Sequence, residues 1–482
     1  MGTNAWRRGD FGEHRLTQNA QQGIIWLNMQ RPPSGKRKTK SVPATRRARV
    51  ARDSRAIYLP PASQAQSQYG TFADSKQAPI HRWFQYPAGF SYRAVEHVLA
   101  ECGIVPGMVV YDPFAGTGTT LVVCKSKGIE SFGVEAHPFV FEVASIKTFW
   151  DYDFARLDSL AARLGLEIQA RLGEAESIDL AQTPELVRKC FSESNLRKLL
   201  FIRARVQELN EPYRAFFTVA LTCALRQASG AATGWPYIAP KKRIQEKDGL
   251  QVFSRQVYQM IGDLKTIPAQ FRQTSCHLVL GDARRTEFED GKFDLSFTSP
   301  PYLNNYDYAD RTRLETYFNG FASTWGDITE KVRSHLIISA TTQINRGDYK
   351  PSNIISPTIR DIVPDIANEL QSNVNRLSHL RLTHGGKKSY DIMVGQYFND
   401  MTMALADNYR VLKPGAKSVW ILGDSAPYGV YIPTEEILGQ IALGVGFRNY
   451  TIQQLRERGD KWKGNTQRHH VALKESILTL TR

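Results

Sequence analysis

The stretch that most constrains this 482-residue chain is Phe297-Thr-Ser-Pro-Pro-Tyr302, led in by Phe293-Asp-Leu-Ser. The lead-in reads as a buried strand. Two consecutive prolines have no N–H to give to a ladder, so the strand must end at Pro300 and Pro301 and leave the sheet rigidly. That exit sets the Ser299 hydroxyl on one side and the flat ring of Tyr302 on the other. With main-chain carbonyls that meet no competing local donor, such a turn suits a planar heterocycle held by its amino group. About 185 residues upstream lies a counterpart, Val109-Val-Tyr-Asp-Pro-Phe-Ala-Gly-Thr-Gly-Thr-Thr120. Here an apolar strand runs into a Gly-x-Gly turn and a helical stretch from Leu121 to Lys127. Glycines let the backbone approach a ligand closely where a sheet opens.

Together these stretches resemble the amino-methyltransferases, S-adenosylmethionine-dependent enzymes that methylate exocyclic amines of DNA bases. Ser299 to Tyr302 matches the family's S/D/N-P-P-Y/F catalytic motif in its cytosine-N4 form, and Asp112 to Thr119 matches the cofactor motif D-P-F-x-G-x-G-T. The resemblance implies an α/β fold, a Rossmann-like seven-stranded sheet, here with a helical insertion and a disordered basic N-terminal arm. It covers roughly residues 80–150, 275–315 and 395–482. It further implies S-adenosylmethionine as cofactor and Ser299, Pro300, Pro301 and Tyr302 as catalytic residues. Ser299 and a neighbouring carbonyl would accept the amino hydrogens, and Tyr302 would stack on a flipped base. Cytosine-C5 chemistry needs a cysteine beside the catalytic proline, and tyrosine stands there.

Other candidates follow in chain order. His81 to Ser91 resembles the family's N-terminal cofactor segment, which places Phe90 and Ser91 along the methionine end. The resemblance puts Asp112, Phe114, Gly116, Gly118 and Thr119 at the cofactor, and Thr119 is also a candidate cap for the following helix. The strand Ser131-Phe-Gly-Val-Glu135 ends in a carboxylate about 20 residues past the turn, a spacing that suits ribose hydroxyls. The strand from His277 ends at Gly281-Asp282, which resembles the segment that contacts adenine and makes Asp282 the candidate for its amino group. No metal is required.

Residues 151–265 have helical periodicity, with Leu157, Leu160, Leu164, Ile168 and Leu172 on one face. Within them, Ser229 to Arg243 sets Trp235, Tyr237, Lys241 and Lys242 in a Gly/Pro-rich loop. That loop reads equally as a nucleic-acid clamp and as a plain surface connection. Arg311 and Arg313, just past the catalytic turn, are candidates for phosphate contact. Near the C-terminus, Arg448 to Leu455 and Val471 to Leu480 read as a closing antiparallel pair around a basic loop.

The expected organisation is an arm over residues 1–75, a cofactor half over 76–150 and a helical insertion over 151–270. A catalytic part over 271–320, a target-reading candidate over 321–390 and the C-terminal sheet over 391–482 complete it. Charge separates the arm from the body: residues 1–57 hold thirteen lysines and arginines against three acids, two-thirds of a net charge of +15. The five cysteines show no C-x-x-C, and no apolar run reaches membrane length. These features predict a cytoplasmic protein without membrane contact. The resemblance implies a nucleoid-associated enzyme that works on DNA beside a restriction endonuclease or other defence components. Adenine-N6 methylation, RNA guanine-N2 methylation and a non-catalytic DNA-binding module are the alternatives.

A basic arm that neutralises phosphates releases counterions. Deleting residues 1–56 is expected to weaken DNA binding and flatten its salt dependence while sparing turnover at saturating DNA. An unchanged salt slope in filter binding would contradict this role.

Overall fold

The computed structural model describes residues 55–86, 89–233, 238–304, 306–350, 354–384, 386–458 and 471–482. Residues 1–54 of the arm, the Trp235 and Tyr237 candidates, and most of the basic loop before the last strand fall outside them.

The short strand β1 (Ala56–Tyr58) comes first, then α1 (Tyr92–Glu101), β2 (Val109–Asp112), α2 (Thr119–Ser126), β3 (Glu130–Glu135) and α3 (Pro138–Thr148). The insertion follows as α4 (Phe154–Ala170), α5 (Glu185–Cys190), α6 (Glu193–Gln207) and α7 (Tyr213–Ala228). A hairpin of β4 (Ala231–Ala232) and β5 (Ala239–Arg243) leads to α8 (Gly249–Lys265). The chain then returns to the sheet through β6 (Cys276–Leu280) and β7 (Phe293–Thr298). Next come α9 (Tyr308–Arg311), α10 (Arg313–Phe318), α11 (Trp325–Lys331), α12 (Pro357–Ile362), α13 (Pro364–Thr383) and α14 (Tyr390–Val411). Strand β8 (Leu412–Gly423), α15 (Thr434–Val445), β9 (Asn449–Arg458) and β10 (Leu473–Thr481) finish it.

The main sheet has the order β1-β9-β10-β8-β7-β2-β3-β6. Strand β10 runs antiparallel to both β8 and β9, and every other pair in this sheet is parallel. Seven strands make the expected sheet. The eighth, β1, pairs with β9 from Ala56 opposite Tyr450 to Tyr58 opposite Ile452. Residues 56–58, expected to be part of the arm, thus form an edge strand instead: Ile57 and Tyr58 are the β-prone side chains that extend an open edge.

Alternation builds the two layers on this sheet. In β8, Val419 and Ile421 point towards the cluster that holds Val95, Val98 and Leu99 of α1, while Trp420 and Leu422 point towards α14 and α15. A buried polar chain locks α14 to the centre. Asn408 donates to Ser296 on β7 at 2.9 Å, Ser418 donates to Asn408 at 2.7 Å, and the Trp420 indole donates to Ser418 at 2.6 Å.

The insertion is bonded to the cofactor half rather than hung beside it. Asp263 on α8 is buried and accepts from the Ile80 amide (3.0 Å), Arg82 Nε (3.0 Å) and the Trp83 indole (2.9 Å) on Oδ2, with a further Arg82 contact on Oδ1. Removing this carboxylate leaves three buried or half-buried donors unanswered. Asp263→Ala is therefore expected to lose about 3–5 kcal/mol of stability in urea unfolding. A loss under about 1 kcal/mol would show that the contact does not anchor the insertion.

Candidate active site

Between β2 and β7 the strand order reverses, and α/β sheets open a crevice there at the carboxyl ends of their strands. Both signature turns leave the sheet at this point, and between them lies a cavity with an empty volume of ≈ 810 Å³, open to solvent.

One wall is the turn after β2: Phe114, Ala115, Gly116, Thr117 and Thr119. Gly116 and Gly118 have φ of +52° and +79°, which explains the glycines. Phe90 and Glu135 add to the wall, as do Gly281 and Asp282 after β6, and Ser299 and Pro301 after β7. The Asp282 carboxylate is oriented by Arg284, which also reaches Asp400 at 2.9 Å.

Glu135 is buried and accepts the His137 amide at 2.8 Å. Burial pushes its pKa up to about 8 against the pull of nearby amides. Asp112 is also buried but stands behind the wall, not on it. Its Oδ1 accepts the Phe114 amide (3.0 Å) and the Thr298 hydroxyl (2.7 Å), and its Oδ2 accepts the Thr120 hydroxyl (2.6 Å). Burial raises its pKa to about 6, and the hydroxyls and amide oppose the rise. The expected direct contact of Asp112 with a ligand is replaced by a bond between the two turns.

Other expected residues are also displaced. Ser91 is fully buried, caps α1 by accepting the Arg93 amide at 3.1 Å, and donates to Asp74. Thr119 is not a cap, because Gly118 occupies the N-cap position in a left-handed conformation. Pro300 is buried beneath the wall. Tyr302 is 5% exposed, and its hydroxyl donates to the buried Glu475 at 3.0 Å. The Arg458 guanidinium covers its ring at 5.3 Å, so it does not face the cavity. Arg311, a candidate for phosphates, is buried over the Tyr306 ring at 4.7 Å. Arg313 pairs with Asp310 at 3.2 Å and lies 5.0 Å from the Trp325 ring. Neither arginine is free for a phosphate, because the aromatic and acidic residues of this segment fold back on them. Lys241 and Lys242 are exposed on β5, as a polyanion contact requires.

The sequence reading named neither Tyr86, which lies in the His81–Ser91 cofactor segment, nor Tyr308 individually, and it missed the segment His335 to Ile337; all are on the wall. Tyr86 and Tyr308 stack at 5.9 Å and 28°. Segment 335–337 is brought in by buried pairs: Arg333 donates to Asp307 at 2.9 Å, and the Ile338 amide donates to Asp400 at 3.0 Å. The aromatic run Tyr302 to Tyr308 was a usable signal for Tyr308. No local pattern marks His335.

An acid at the end of β3, a glycine turn after β2 and Asp282 after β6 offer acceptors for ribose and adenine beside a close backbone approach. The residues fit S-adenosylmethionine. Sheet order and site together define a Rossmann-like α/β fold whose cavity fits S-adenosylmethionine. A family model described as a DNA methylase, N6_N4_Mtase, matches residues 14–146. The chain is 25% identical over 448 residues to the Type II methyltransferase M.BsoBI of Geobacillus stearothermophilus, covering 84% of this chain and 86% of that protein. It is 25% identical over 413 residues to the Type II methyltransferase M.AvaI of Nostoc sp., covering 78% and 81%. A solved geranyl diphosphate methyltransferase in complex with GPP and sinefungin aligns with a TM-score of 0.26 and 9% identity over 89% of each chain, too distant to add to the topology. These comparisons make the chain similar to DNA amino-methyltransferases, and S-adenosylmethionine is its cofactor.

Hydrogen bonds to a charged group are worth about 1.5–3 kcal/mol each. Glu135→Ala is expected to weaken S-adenosylmethionine binding roughly 10- to 100-fold by calorimetry. Unchanged affinity would remove Glu135 from the cofactor site.

Proposed function

We propose that this protein transfers the methyl group of S-adenosylmethionine to the exocyclic N4 amine of a cytosine flipped out of a specific DNA site, as the modification partner in a restriction-modification or phage-defence system. The observation that carries this reading is the orientation of Ser299. Its hydroxyl donates to the Ile421 carbonyl at 3.2 Å on the neighbouring strand. With the proton engaged there, the oxygen's lone pairs remain available to accept. The resemblances to two Type II methyltransferases, over 84% and 78% of this chain, support DNA as the substrate.

An amine on a pyrimidine is a poor nucleophile, because its lone pair is delocalised into the ring. Ser299 accepts one amino hydrogen and a main-chain carbonyl of the Ser299-Pro300-Pro301 turn accepts the other, which draws the nitrogen towards tetrahedral geometry. The cofactor supplies an electrophilic methyl group on a positively charged sulfur. The rigid turn then contributes by alignment, and good positioning is worth several kcal/mol, up to ~7–11. Reaching the amine requires taking the base out of the stack. Stacking on Tyr302, worth roughly 1–3 kcal/mol per base, requires Arg458 to swing off the ring. Lys241 and Lys242 serve the phosphate backbone in this reading.

The test is mass spectrometry of nucleosides from DNA of cells that express the protein, with Ser299→Ala as control. N4-methylcytosine is expected with the intact protein and at least 100-fold less with the variant. N6-methyladenine in its place would overturn the choice of base. Equal product from the variant would overturn the role of Ser299.

A further inference from the structure

Lys147 lies in the last turn of α3 with no exposed surface, and its ammonium end reaches Thr117 Oγ1 at 3.4 Å. Thr117 is the middle residue of the Gly-Thr-Gly turn and stands on the cavity wall. Fully buried lysines are rare unless paired. Among the described residues, no carboxylate forms an ion pair with Lys147. The titratable groups that face it are His81, from the segment before α1, and Cys223 on α7. Burial holds His81 well below its usual range and raises the Cys223 thiol, so both are neutral near pH 7. Burial also lowers Lys147 itself, to about 7. A cation without an anion is costly in a dry interior. This one is aimed through a single hydroxyl at the turn that meets the ligand.

The methionine end of S-adenosylmethionine brings a carboxylate. We propose that Lys147, acting through Thr117, supplies the positive charge that holds this carboxylate, and that it takes up a proton from solvent as the cofactor binds. The Thr117 oxygen accepts from the ammonium and its hydroxyl donates to the carboxylate. Lys147 is then a positioning residue: it fixes the methionine end of the cofactor without touching the reacting atoms. The inference rests on the cofactor assignment.

Two probes separate the possibilities. S-adenosylhomocysteine carries the carboxylate, whereas 5′-deoxy-5′-methylthioadenosine has the same adenine, ribose and thioether without it. Binding of each is measured calorimetrically at pH 8 in buffers of different ionisation enthalpy. Any proton released by Glu135 on meeting the shared ribose is common to both ligands and cancels in the comparison. S-adenosylhomocysteine is expected to take up about one proton more than methylthioadenosine. Lys147→Met is expected to abolish that excess and weaken S-adenosylhomocysteine at least 10-fold, with methylthioadenosine affinity unchanged as proof of a folded site. Thr117→Val is expected to act in the same direction. Equal uptake for the two ligands in the wild-type protein, or equal weakening of both in Lys147→Met, would overturn the proposal. If neither ligand binds the wild-type protein, the cofactor assignment itself fails.

Discussion

Asp112 accepts three hydrogen bonds, one from the Phe114 amide just past its own strand, one from Thr120 on α2 and one from Thr298, the last residue of β7. Those bonds set the spacing and tilt of the two turns that face each other across the cavity. Backbone pairing between β2 and β7 is short, with Val110 opposite Leu295 and Tyr111 opposite Ser296. Beyond those residues the ladder stops, and the buried carboxylate continues the connection where the site needs it. Phe114 and Ser299 face one cavity because both adjoin groups bonded to the same acid.

Much of this was legible in the sequence because it rests on local chemistry. Proline pairs end strands, glycines permit positive φ, and alternating apolar residues mark buried strands. Hence the sheet elements, the helical insertion, the closing antiparallel pair and the wall residues Phe114, Gly116, Glu135, Asp282 and Ser299 were all within reach. What remained hidden depends on which way a side chain turns. Nothing local tells that Asp112 faces inward to Thr298, or that the Tyr302 hydroxyl finds Glu475 some 170 residues later. Arg311 looked like a phosphate ligand because arginines near a catalytic turn often are. Its aromatic neighbour Tyr306 holds it in the interior instead. The segment at His335 reaches the cavity only because Asp307 and Asp400 hold it from other elements, and no linear pattern encodes that.

The insertion and the core are stitched by the same kind of contact. Asp263 gathers donors from the segment that precedes α1. Arg226 on α7 grips the buried Glu315 on α10 through two bonds and reaches the Thr233 and Arg311 carbonyls. In each pair the carboxylate is buried, so breaking one costs much more than breaking an exposed ion pair does. The helical layer therefore reports directly on both sides of the cavity.

The neighbours β3 and β6 are joined by hydrogen bonds from Ser131 opposite Cys276 to Glu135 opposite Leu280, yet more than a hundred residues of chain separate them. The sheet does not record how long that detour is. Closing a longer loop adds only about 0.6 kcal/mol per doubling of its length. The same site is therefore compatible with a shorter insertion, a different one, or a circular permutation that opens the chain between β3 and β6. In this architecture the order in which the motifs are read along a gene is an accident of where the ends were cut, while the order of strands in the sheet is fixed.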